Sequence, residues 1–578
     1  MRSVACFLLL LVLQPFSATK KRRERTEKFV TVDVDGAVVT GRRVRTGDSF
    51  IAGFTGVPYA ESPTGQLRFS RPVKRTYSKG EQIDATILPS SCLQNIYPPS
   101  PDYLSPQLSF SEDCLYLNVL TKHDWINKGL KKPVLFYIHG GSFSNGDGIS
   151  RDGSGLVEYA DIVLVSVNYR LQLLGFLNAY DGIVANLGLW DVKMALEWVQ
   201  NHIEVFSGDK NRVTIMGESA GGAIVTYLHT SPLTDGLFSS SISISGTMIA
   251  PWAFTKTRMD EQQGKWEILK NQTGCSSASD ILNCLRSANE SSILGAMYAT
   301  MMEFPIDTWP PIIDNQLVTE TPLLTIETAN YTSRPLLSGV CQDEGSIMAL
   351  AFGMTKGVPL FTNTDKLNNK EQIRELSINH PLIKNFTIPC MNDNGDELLE
   401  FYTNRTDTDL KTQLATLLGD WLLFCPQIIT ADLFSKNSDS VYQYVFDYMS
   451  NNRKDDNSTW MGVTHGEDLA YLFGSPLSEN SPFYNQNYGK VWGTKDRQIS
   501  KIMMDMIEGF MRGGAPVVKS AKSASRVCWD ELGDKSQYLL VVSDLVTNKK
   551  AATKDLAPTI AHCQKMFEIV RTRATPCQ

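Results

Sequence analysis

The sequence predicts an α/β fold with one large, mostly parallel central sheet and helices on both faces. Strand-like apolar runs recur with helical stretches between them, which is the alternation that produces a parallel sheet. The candidate catalytic residues are spread from 140 to 465, so they can meet only if one sheet organises that span. One intervening segment, 189–203, is typical of an amphipathic helix. The predicted strands are 133–139, 162–169, 213–216, 239–245, 335–340, 441–446 and 538–542.

The N-terminus has the form of a cleavable secretory signal. Arg2 is followed by an apolar run, Val4 to Leu13, and then by small residues, and this run is too short to span a bilayer. No later run reaches the roughly 18 apolar residues of a membrane helix, so we expect no membrane span. We divide the chain into a signal peptide (1–18), a basic flexible segment (19–27), a single domain (28–570) and a C-terminal tail (571–578).

The composition indicates a large, soluble, extracellular glycoprotein. The formal net charge of -7 over 578 residues, with both signs mixed, provides no electrostatic footprint for nucleic acid. Hydrophobic residues make up 42% of the chain, which is enough for a large core. In a secreted protein the Asn-x-Ser/Thr sequons are candidate glycosylation sites. They are Asn271, Asn289, Asn330, Asn385, Asn404 and Asn457.

The cysteines indicate disulfides and not a metal site. Of the eleven cysteines, all but Cys6 remain once the signal is removed, in a compartment where disulfides form. Cys275 and Cys284 lie nine residues apart, and a Pro- and Ser-rich loop separates Cys92 from Cys114, so both pairs are typical of local staples. The chain has no Cys-x-x-Cys or His-x-x-x-His spacing, so we expect no metal and no cofactor.

The strongest chemical signal is the segment around Ser219. Val213 to Met216 favours a strand, Gly217 to Gly221 has the pattern Gly-x-Ser-x-Gly, and residues that can continue as a helix follow. A serine on such a sharp strand-to-helix turn presents its hydroxyl, and the flanking glycines avoid the collisions of a Cβ. The motif alone is common, but its context predicts that Ser219 is a nucleophile.

A serine nucleophile needs a base, and a third group must orient that base. In this kind of fold the chain order is serine, acid, histidine, which leaves His380, His465 and His562. His380 precedes a proline in a polar stretch, and His562 lies at helical spacing. His465, in a loop after the last major strand, is the predicted base. Since the base must be neutral, activity is expected to rise through about pH 6–7, the ordinary histidine range.

Two loops complete the predicted site. The strand 335–340 runs into Asp343 and Glu344, and the physics of the sequence does not choose between these two carboxylates. The strand 133–139 ends in His-Gly-Gly, whose backbone N–H groups at Gly140 and Gly141 are expected to form an oxyanion hole together with that of Ala220.

Taken together, these segments resemble the type-B carboxylesterases, the cholinesterase-related branch of the α/β-hydrolases. The likeness covers nearly the whole mature chain. It departs from the family at Phe206-Ser207-Gly208-Asp209, where Phe-Gly-Gly is usual, and we expect that change to affect only a turn. The matching segments are Phe54–Ala60, Leu67–Phe69, Ser111–Val119, His139–Gly141, Asn168–Arg170, Gly217–Gly222, Asp343–Gly345 and His465–Gly466.

The resemblance also assigns roles that the residues alone do not. It implies that Glu344 is the acid of the triad, and that two ion pairs, Arg68–Glu112 and Arg170–Asp191, are structural. The disulfides that it implies are Cys92–Cys114, Cys275–Cys284 and Cys425–Cys563. Cys341, Cys390, Cys528 and Cys577 stay unassigned, and Cys577 could link two chains, as in some relatives.

The sequence therefore predicts a secreted serine carboxylic ester hydrolase that acts through an acyl-enzyme. The family also contains adhesion proteins and a hormone precursor, and its silent members usually lack one or more triad residues. Ser219, Glu344 and His465 are all present here, which favours an active enzyme over a silent relative.

The expected pocket favours neutral, apolar esters over choline esters. Where cholinesterases carry a tryptophan and a second aromatic, this chain has Leu104, next to Tyr103, and Ile347, and aliphatic groups offer no π face to a quaternary ammonium. Trp309 could limit acyl size or could be a core residue. Cholinesterase-like, lipid-ester or insect-hormone-type ester hydrolysis are the alternatives. The expected pocket residues are Glu218, Leu104, Trp309, Ile347 and Met348.

Overall fold

In the part of the chain that the structure describes, thirteen strands form one sheet at the centre of the protein. Its strands and those of two small two-stranded sheets come from a computed structural model, which describes residues 28–46, 49–95, 109–178, 183–255, 263–303, 309–380, 395–404, 408–437, 440–450, 458–478, 492–519, 526–528, 531–532, 539–541 and 553–571. The strands are β1 (Phe29–Val34), β2 (Ala37–Thr46), β3 (Ser49–Pro58), β4 (Gln82–Asp84), β5 (Ser91–Cys92), β6 (Phe110–Ser111), β7 (Tyr116–Lys122), β8 (Lys132–Ile138), β9 (Val163–Val167), β10 (Gly208–Glu218), β11 (Ser240–Ile244), β12 (Leu336–Cys341), β13 (Val441–Phe446), β14 (Val517–Lys519), β15 (Arg526–Cys528), β16 (Leu539–Val541) and β17 (Thr553–Lys554).

The parallel part of the sheet is the part that the sequence predicts. The order in the sheet is β1-β2-β3-β7-β9-β8-β10-β11-β12-β13-β16-β17, with β4 beside β2. All seven predicted strands lie in the run from β9 to β16, and every pairing within that run is parallel. β9, β11, β12 and β13 are buried along their whole length, as expected for strands covered on both faces.

The antiparallel edge of the sheet is an addition to that prediction. β1, β2, β3, β7 and β9 pair antiparallel in that order. β1 and β2 are joined by Asp35 and Gly36, which have φ of 50° and 90°. Asp-Gly between alternating apolar residues is a strong hairpin signal, so this edge was readable from the sequence.

Helices cover both faces of the sheet. The predicted amphipathic helix corresponds to Leu187–His202. The helices are α1 (Ser154–Tyr159), α2 (Gln172–Phe176), α3 (Leu187–His202), α4 (Ala220–Thr230), α5 (Gln263–Thr273), α6 (Ile281–Ser287), α7 (Glu290–Glu303), α8 (Pro322–Thr328), α9 (Ser346–Thr355), α10 (Lys370–Leu376), α11 (Gly395–Thr403), α12 (Leu410–Gly419), α13 (Cys425–Lys436), α14 (Leu469–Leu472), α15 (Thr494–Gly513) and α16 (Ala557–Arg571).

The two faces of the sheet carry separate hydrophobic cores. Val134, Phe136 and Ile138 of β8 pack in the core that includes α3, α4 and α13. Leu135 and Tyr137, which point the other way, pack in the core that includes α1, α14 and α15. This alternation follows from the two-residue period of a strand.

One continuous helix, Leu410–Lys436, is long and apolar enough by composition to cross a membrane. It consists of α12 and α13 joined by a π-helical turn, Asp420–Phe424. Of its most apolar 18-residue stretch, 78% is buried inside the protein. These side chains pack in the core, as those of a core helix in a globular protein do.

In the described part of the chain, three disulfides join the same pairs that the resemblance implies. They are Cys92–Cys114, Cys275–Cys284 and Cys425–Cys563, with S–S distances of 2.06, 2.11 and 2.09 Å. Cys341 carries a free, buried thiol. Cys390 and Cys577 lie outside the described residues, and so does the side chain of Cys528 at the end of β15.

The two structural ion pairs are buried and bidentate. Arg68 Nε lies 2.7 Å from Glu112 Oε2, and Arg170 Nε lies 2.8 Å from Asp191 Oδ2. The second guanidinium nitrogen of each arginine contacts the other carboxylate oxygen. A planar guanidinium matches a carboxylate in this geometry, which suits a structural role.

The departure from the family pattern at Ser207 does fall in a turn. Ser207 has φ of 69° and ψ of 18°, a left-handed conformation in which glycine is favoured. Its Oγ donates a hydrogen bond of 2.7 Å to the carbonyl oxygen of Trp125. The serine thus occupies the turn before β10, at the opposite end of this strand from Ser219.

Candidate active site

The predicted catalytic segments meet at one edge of the sheet. β8 ends before Gly140, β10 ends before Ser219, and β12 ends before Glu344. These strands are parallel, so their carboxyl ends lie on the same side, where sites in open α/β sheets form. The loop with His465 joins them there through its contact with Glu344.

Ser219 lies on a strained turn between β10 and α4. Its φ of 56° and ψ of -124° are unusual for a residue with a side chain. A Cβ on Gly217 would come within 2.2 Å of the carbonyl oxygen of Gly221, and one on Gly221 within 2.1 Å of that of Ile138. Both glycines of the motif are therefore required by close backbone packing.

The glycine loop after β8 lies against this turn. A Cβ on Gly140 would approach the carbonyl oxygen of Glu218 to 2.6 Å and Ser219 Cβ to 2.9 Å. Gly141 has φ of 101°, which favours glycine. Ala220 is the first residue of α4, so its N–H has no partner within the helix. Of the three residues expected to form an oxyanion hole, Gly140 and Ala220 thus lie beside the serine, and Gly141 follows Gly140 in the chain.

His139 and Tyr169 pack against each other beside the glycine loop. Its ring stacks on Tyr169 with centroids 4.3 Å apart, and its Nδ1 lies 2.8 Å from the carbonyl oxygen of Gly140. Tyr169 Oη donates a hydrogen bond of 2.9 Å to the carbonyl oxygen of His139. Burial lowers the pKa of His139 to about 4, so this histidine is neutral at physiological pH.

The structure distinguishes between the two adjacent carboxylates. Glu344 Oε2 lies 2.6 Å from His465 Nδ1. Its other oxygen accepts hydrogen bonds from Ser245 Oγ and, at 2.7 Å, from the backbone N–H of Cys341. Glu344 is 1% exposed. Its three contacts fix the position of the carboxylate, and the carboxylate in turn favours the imidazole tautomer with the proton on Nδ1.

Asp343 contacts the backbone of the loop that carries His465 (residues 458–466) and not its imidazole. Its Oδ2 accepts a hydrogen bond of 2.8 Å from the N–H of Val463, and its own N–H donates one of 2.9 Å to the carbonyl oxygen of Val463. A Cβ on Gly462 would lie 2.1 Å from Asp343 Oδ2. The close approach of the loop to this carboxylate therefore needs a glycine.

A second carboxylate faces the other side of the imidazole. His465 Nε2 lies 3.1 Å from Glu218 Oε1. Burial by itself lowers the pKa of His465, but the carboxylates of Glu218 and Glu344 outweigh it and raise the pKa to about 9. Burial raises the pKa of Glu218.

The other two candidate histidines lie elsewhere. His380 is buried, its ring stacks on Phe352 at 4.6 Å, and its Nε2 lies 2.8 Å from Thr355 Oγ1. Burial lowers its pKa to about 4. His562, on α16, pairs with Asp420 at 2.7 Å. These partners are distinct from Ser219, Glu344 and His465.

Within the described chain, one cluster has metal-ligating side chains in reach of one another: Asp420, Cys425 and His562, within 4.8 Å. Cys425 is disulfide-bonded to Cys563, so it cannot supply a thiolate. The cluster is therefore a histidine hydrogen-bonded to a carboxylate, beside a disulfide.

The expected pocket is described only in part. Ile347 and Met348 lie in the first turn of α9, three and four residues after Glu344, and both are half-buried. Trp309 is buried, and Lys265 Nζ lies 5.7 Å from the centroid of its ring. Leu104 lies outside the described residues.

Sequence reasoning missed two residues of the site. Ser245, which contacts Glu344, directly follows β11, so its position at the carboxyl end of a predicted strand was the available signal. Asp468 is buried three residues after His465, accepts a hydrogen bond of 2.7 Å from Tyr444 Oη, and has a pKa that burial raises to about 7. Only the fold reveals that this acidic residue is buried.

Comparison with known proteins identifies the family. The model of the carboxylesterase family matches residues 27–558. The chain belongs to the carboxylesterase family. It is 31% identical over 507 residues to the acetylcholinesterase of Bungarus fasciatus, covering 84% of this chain and 79% of the relative. It is 30% identical over 492 residues to the cholinesterase of Mus musculus, covering 81% and 77%. An acetylcholinesterase of Leptinotarsa decemlineata is 29% identical over 504 residues, covering 80% and 75%.

Membership of the carboxylesterase family confirms the predicted fold class, the α/β-hydrolase fold. It also confirms the prediction of a carboxylic ester hydrolase that acts on small-molecule esters.

Proposed function

We propose that this carboxylesterase-family protein is a secreted serine esterase that hydrolyses neutral, apolar carboxylic esters through an acyl-enzyme. The observation that carries the proposal is the contact of 2.6 Å between His465 Nδ1 and Glu344 Oε2, on the same sheet edge as the strained turn of Ser219. A silent relative would have no need to keep a strained serine, an oriented histidine and a glycine loop together.

In the proposed mechanism, Ser219 Oγ attacks the ester carbonyl while His465 Nε2 accepts its proton. The N–H groups of Gly140, Gly141 and Ala220 stabilise the oxyanion of the tetrahedral intermediate. The imidazolium, oriented by Glu344, protonates the leaving alcohol. Water then attacks the acyl-enzyme with His465 again as the base, which releases the carboxylic acid and restores Ser219.

The substrate class is inferred from the side chains near the acid. Ile347 and Met348, at the start of α9, are aliphatic, and Trp309 is buried against other core residues. A quaternary ammonium would be desolvated there with little cation–π return. The cholinesterase names of the relatives make a choline ester the second candidate.

Secretion is inferred from three features. The N-terminal signal pattern lies outside the described residues, but the three disulfides are typical of an oxidising compartment. The sequon asparagines Asn271, Asn289, Asn330 and Asn404 are exposed, and Asn385 and Asn457 lie outside the described residues. Expression in a secreting cell, with a shift in mass after glycan removal, tests this part.

Covalent labelling tests the mechanism. Diethyl 4-nitrophenyl phosphate should phosphorylate Ser219 and release about one equivalent of nitrophenol, because it reacts with an activated serine. Peptide mapping should find the adduct on the peptide with Gly217–Gly221, and Ser219→Ala should not be labelled. A folded protein that is not labelled would instead be a silent relative.

A further inference from the structure

A buried lysine lies beside the loop that carries His465. Lys411 is in the first turn of the helix Leu410–Lys436, and its Nζ donates a hydrogen bond of 2.8 Å to the carbonyl oxygen of Thr362. The same Nζ lies 4.3 Å from the centroid of the Trp460 ring. Lys411 is only 2% exposed. A cation held away from water binds an aromatic face more strongly than one at the surface.

The segment that Lys411 contacts also holds the backbone of Trp460. Asn363 Oδ1 accepts a hydrogen bond of 2.9 Å from the N–H of Trp460, and Asn363 Nδ2 donates one of 2.9 Å to Thr459 Oγ1. Asp365 Oδ2 accepts one of 2.6 Å from the N–H of Thr362 and so fixes this turn. Trp460 is therefore fixed at its ring by an ammonium and at its backbone by an amide.

Trp460 is five residues before His465, in the same loop. Beyond the turn Thr459–Met461, the loop is tied to the turn that follows β12, because Val463 is hydrogen-bonded to Asp343 in both directions. These contacts fix the half of the loop nearest His465. The contacts of Lys411 and Asn363 fix the other half.

The helix that carries Lys411 also packs against the turn that carries the acid. A Cβ on Gly345, the residue after Glu344, would lie 2.0 Å from the carbonyl oxygen of Ala415 and 2.2 Å from the N–H nitrogen of Gly419. One helix thus contacts the turn that carries Glu344 through its backbone, and the loop that carries His465 through Lys411.

We propose that Lys411 is a positioning residue for His465. Through Trp460 it fixes the position of the loop 458–466 relative to the turn that carries Glu344, so that the imidazole keeps its contact with Glu344. The inference rests on the proposed function, because it takes His465 as the base. Lys411 touches no reacting atom, so its removal should affect turnover more than substrate binding.

The experiment compares Lys411→Met with Lys132→Met and Lys411→Arg. Methionine keeps much of the apolar stem and removes the ammonium. Lys132 is a matched control, because its Nζ also lies over an aromatic ring, 4.4 Å from the centroid of Trp125. It is the first residue of β8, at the end of that strand away from the site. For each protein, kcat and KM for 4-nitrophenyl acetate are measured, together with deuterium exchange of peptides that cover residues 458–468.

Lys411→Met is expected to lower kcat by about tenfold or more, with KM within about twofold, since small misplacements of a catalytic group are costly. Exchange at 458–468 should become faster. Lys411→Arg, which keeps a cation near the ring, should retain most of kcat, and Lys132→Met should leave both measurements unchanged. The proposal is overturned by a normal kcat in Lys411→Met, by a loss no larger than in Lys132→Met, by unchanged exchange, or by an arginine variant as impaired as the methionine variant.

A second variant tests the proposal if Lys411→Met does not fold. Asn363→Ala removes the other hold on Trp460, so it should reproduce the loss of kcat and the faster exchange, and normal values would overturn the proposal. The exchange measurement does not depend on catalysis. A wild-type protein without esterase activity would therefore refute the proposed function, while exchange would still show whether Lys411 holds the loop.

Discussion

The imidazole of His465 lies between two carboxylates: Nδ1 is 2.6 Å from Glu344 Oε2, and Nε2 is 3.1 Å from Glu218 Oε1. Glu344 lies in the turn after β12, and Glu218 is the last residue of β10, directly before Ser219. Both favour the charged form of the ring. Glu218, which directly precedes Ser219, therefore also affects how easily the imidazole of His465 becomes neutral.

The pH profile should reflect this contact. The ordinary histidine pKa predicts a rise of activity through about pH 6–7, whereas the contacts in the structure raise the pKa of His465 to about 9. Because the base must be neutral, kcat/KM should rise with pH and reach half its maximum near that value. Measuring kcat/KM for 4-nitrophenyl acetate from neutral to alkaline pH checks this, and a plateau already reached at neutral pH would contradict it.

Glu218→Gln should move that rise to lower pH. The amide removes a negative charge that favours the imidazolium, so the pKa of His465 should fall towards its ordinary value. Normalised kcat/KM profiles of the variant and the wild type are to be compared. Glu320→Gln, a substitution of an exposed residue, serves as the control. An unchanged profile would mean that the Glu218 carboxylate does not act on the base.

Ser219→Ala should lower turnover by several orders of magnitude without unfolding the protein, since removing a nucleophile of this type costs roughly 10⁴- to 10⁶-fold. Activity is measured with 4-nitrophenyl acetate, and folding by thermal unfolding. Esterase activity close to that of the wild type would exclude Ser219 as the nucleophile.

The two adjacent carboxylates should respond differently to amide substitution. Glu344→Gln leaves the shape but cannot orient and stabilise the imidazolium, and a loss of about 10³- to 10⁴-fold in kcat is expected. Asp343→Asn can still accept the hydrogen bond from the Val463 N–H, so its kcat should stay within about tenfold of wild type. Equal losses in the two variants would contradict the separate roles assigned here.

Substrate selectivity should favour neutral esters. The value of kcat/KM for naphthyl or nitrophenyl acetate and butyrate should exceed that for acetylthiocholine, because the aliphatic side chains of Ile347 and Met348 offer no π face to a cation. Thiocholine-ester hydrolysis as efficient as that of the neutral esters would show that the pocket is of the cholinesterase kind.

The long-range disulfide should matter most for secretion. Cys425–Cys563 spans 138 residues, and chain-entropy arguments give roughly 5 kcal/mol for such a loop, against roughly 2.6 kcal/mol for the nine-residue span of Cys275–Cys284. Cys563→Ser should therefore reduce the secreted yield much more than Cys275→Ser. Peptide mapping that pairs Cys425 with a different cysteine would overturn the basis of this expectation.

The sequence was sufficient where the signal is local. The parallel strands are continuous apolar runs, and the turn at Ser219 needs glycines within two residues on either side, so both features are readable along the chain. The hairpin at Asp35 and Gly36 is equally local, but its alternating pattern differs from the continuous apolar runs that predict parallel strands.

The tertiary structure decided what depends on distance between remote segments. Asp343 and Glu344 are adjacent carboxylates that the sequence does not distinguish. Only the folded chain shows that Glu344 reaches His465, while Asp343 contacts the loop before it. The sequence likewise gives His465 its ordinary pKa, because the charges that shift it come from Glu218 and Glu344, each more than a hundred positions away. Electrostatic effects depend on separation in space and on burial, and neither is a property of position along the chain.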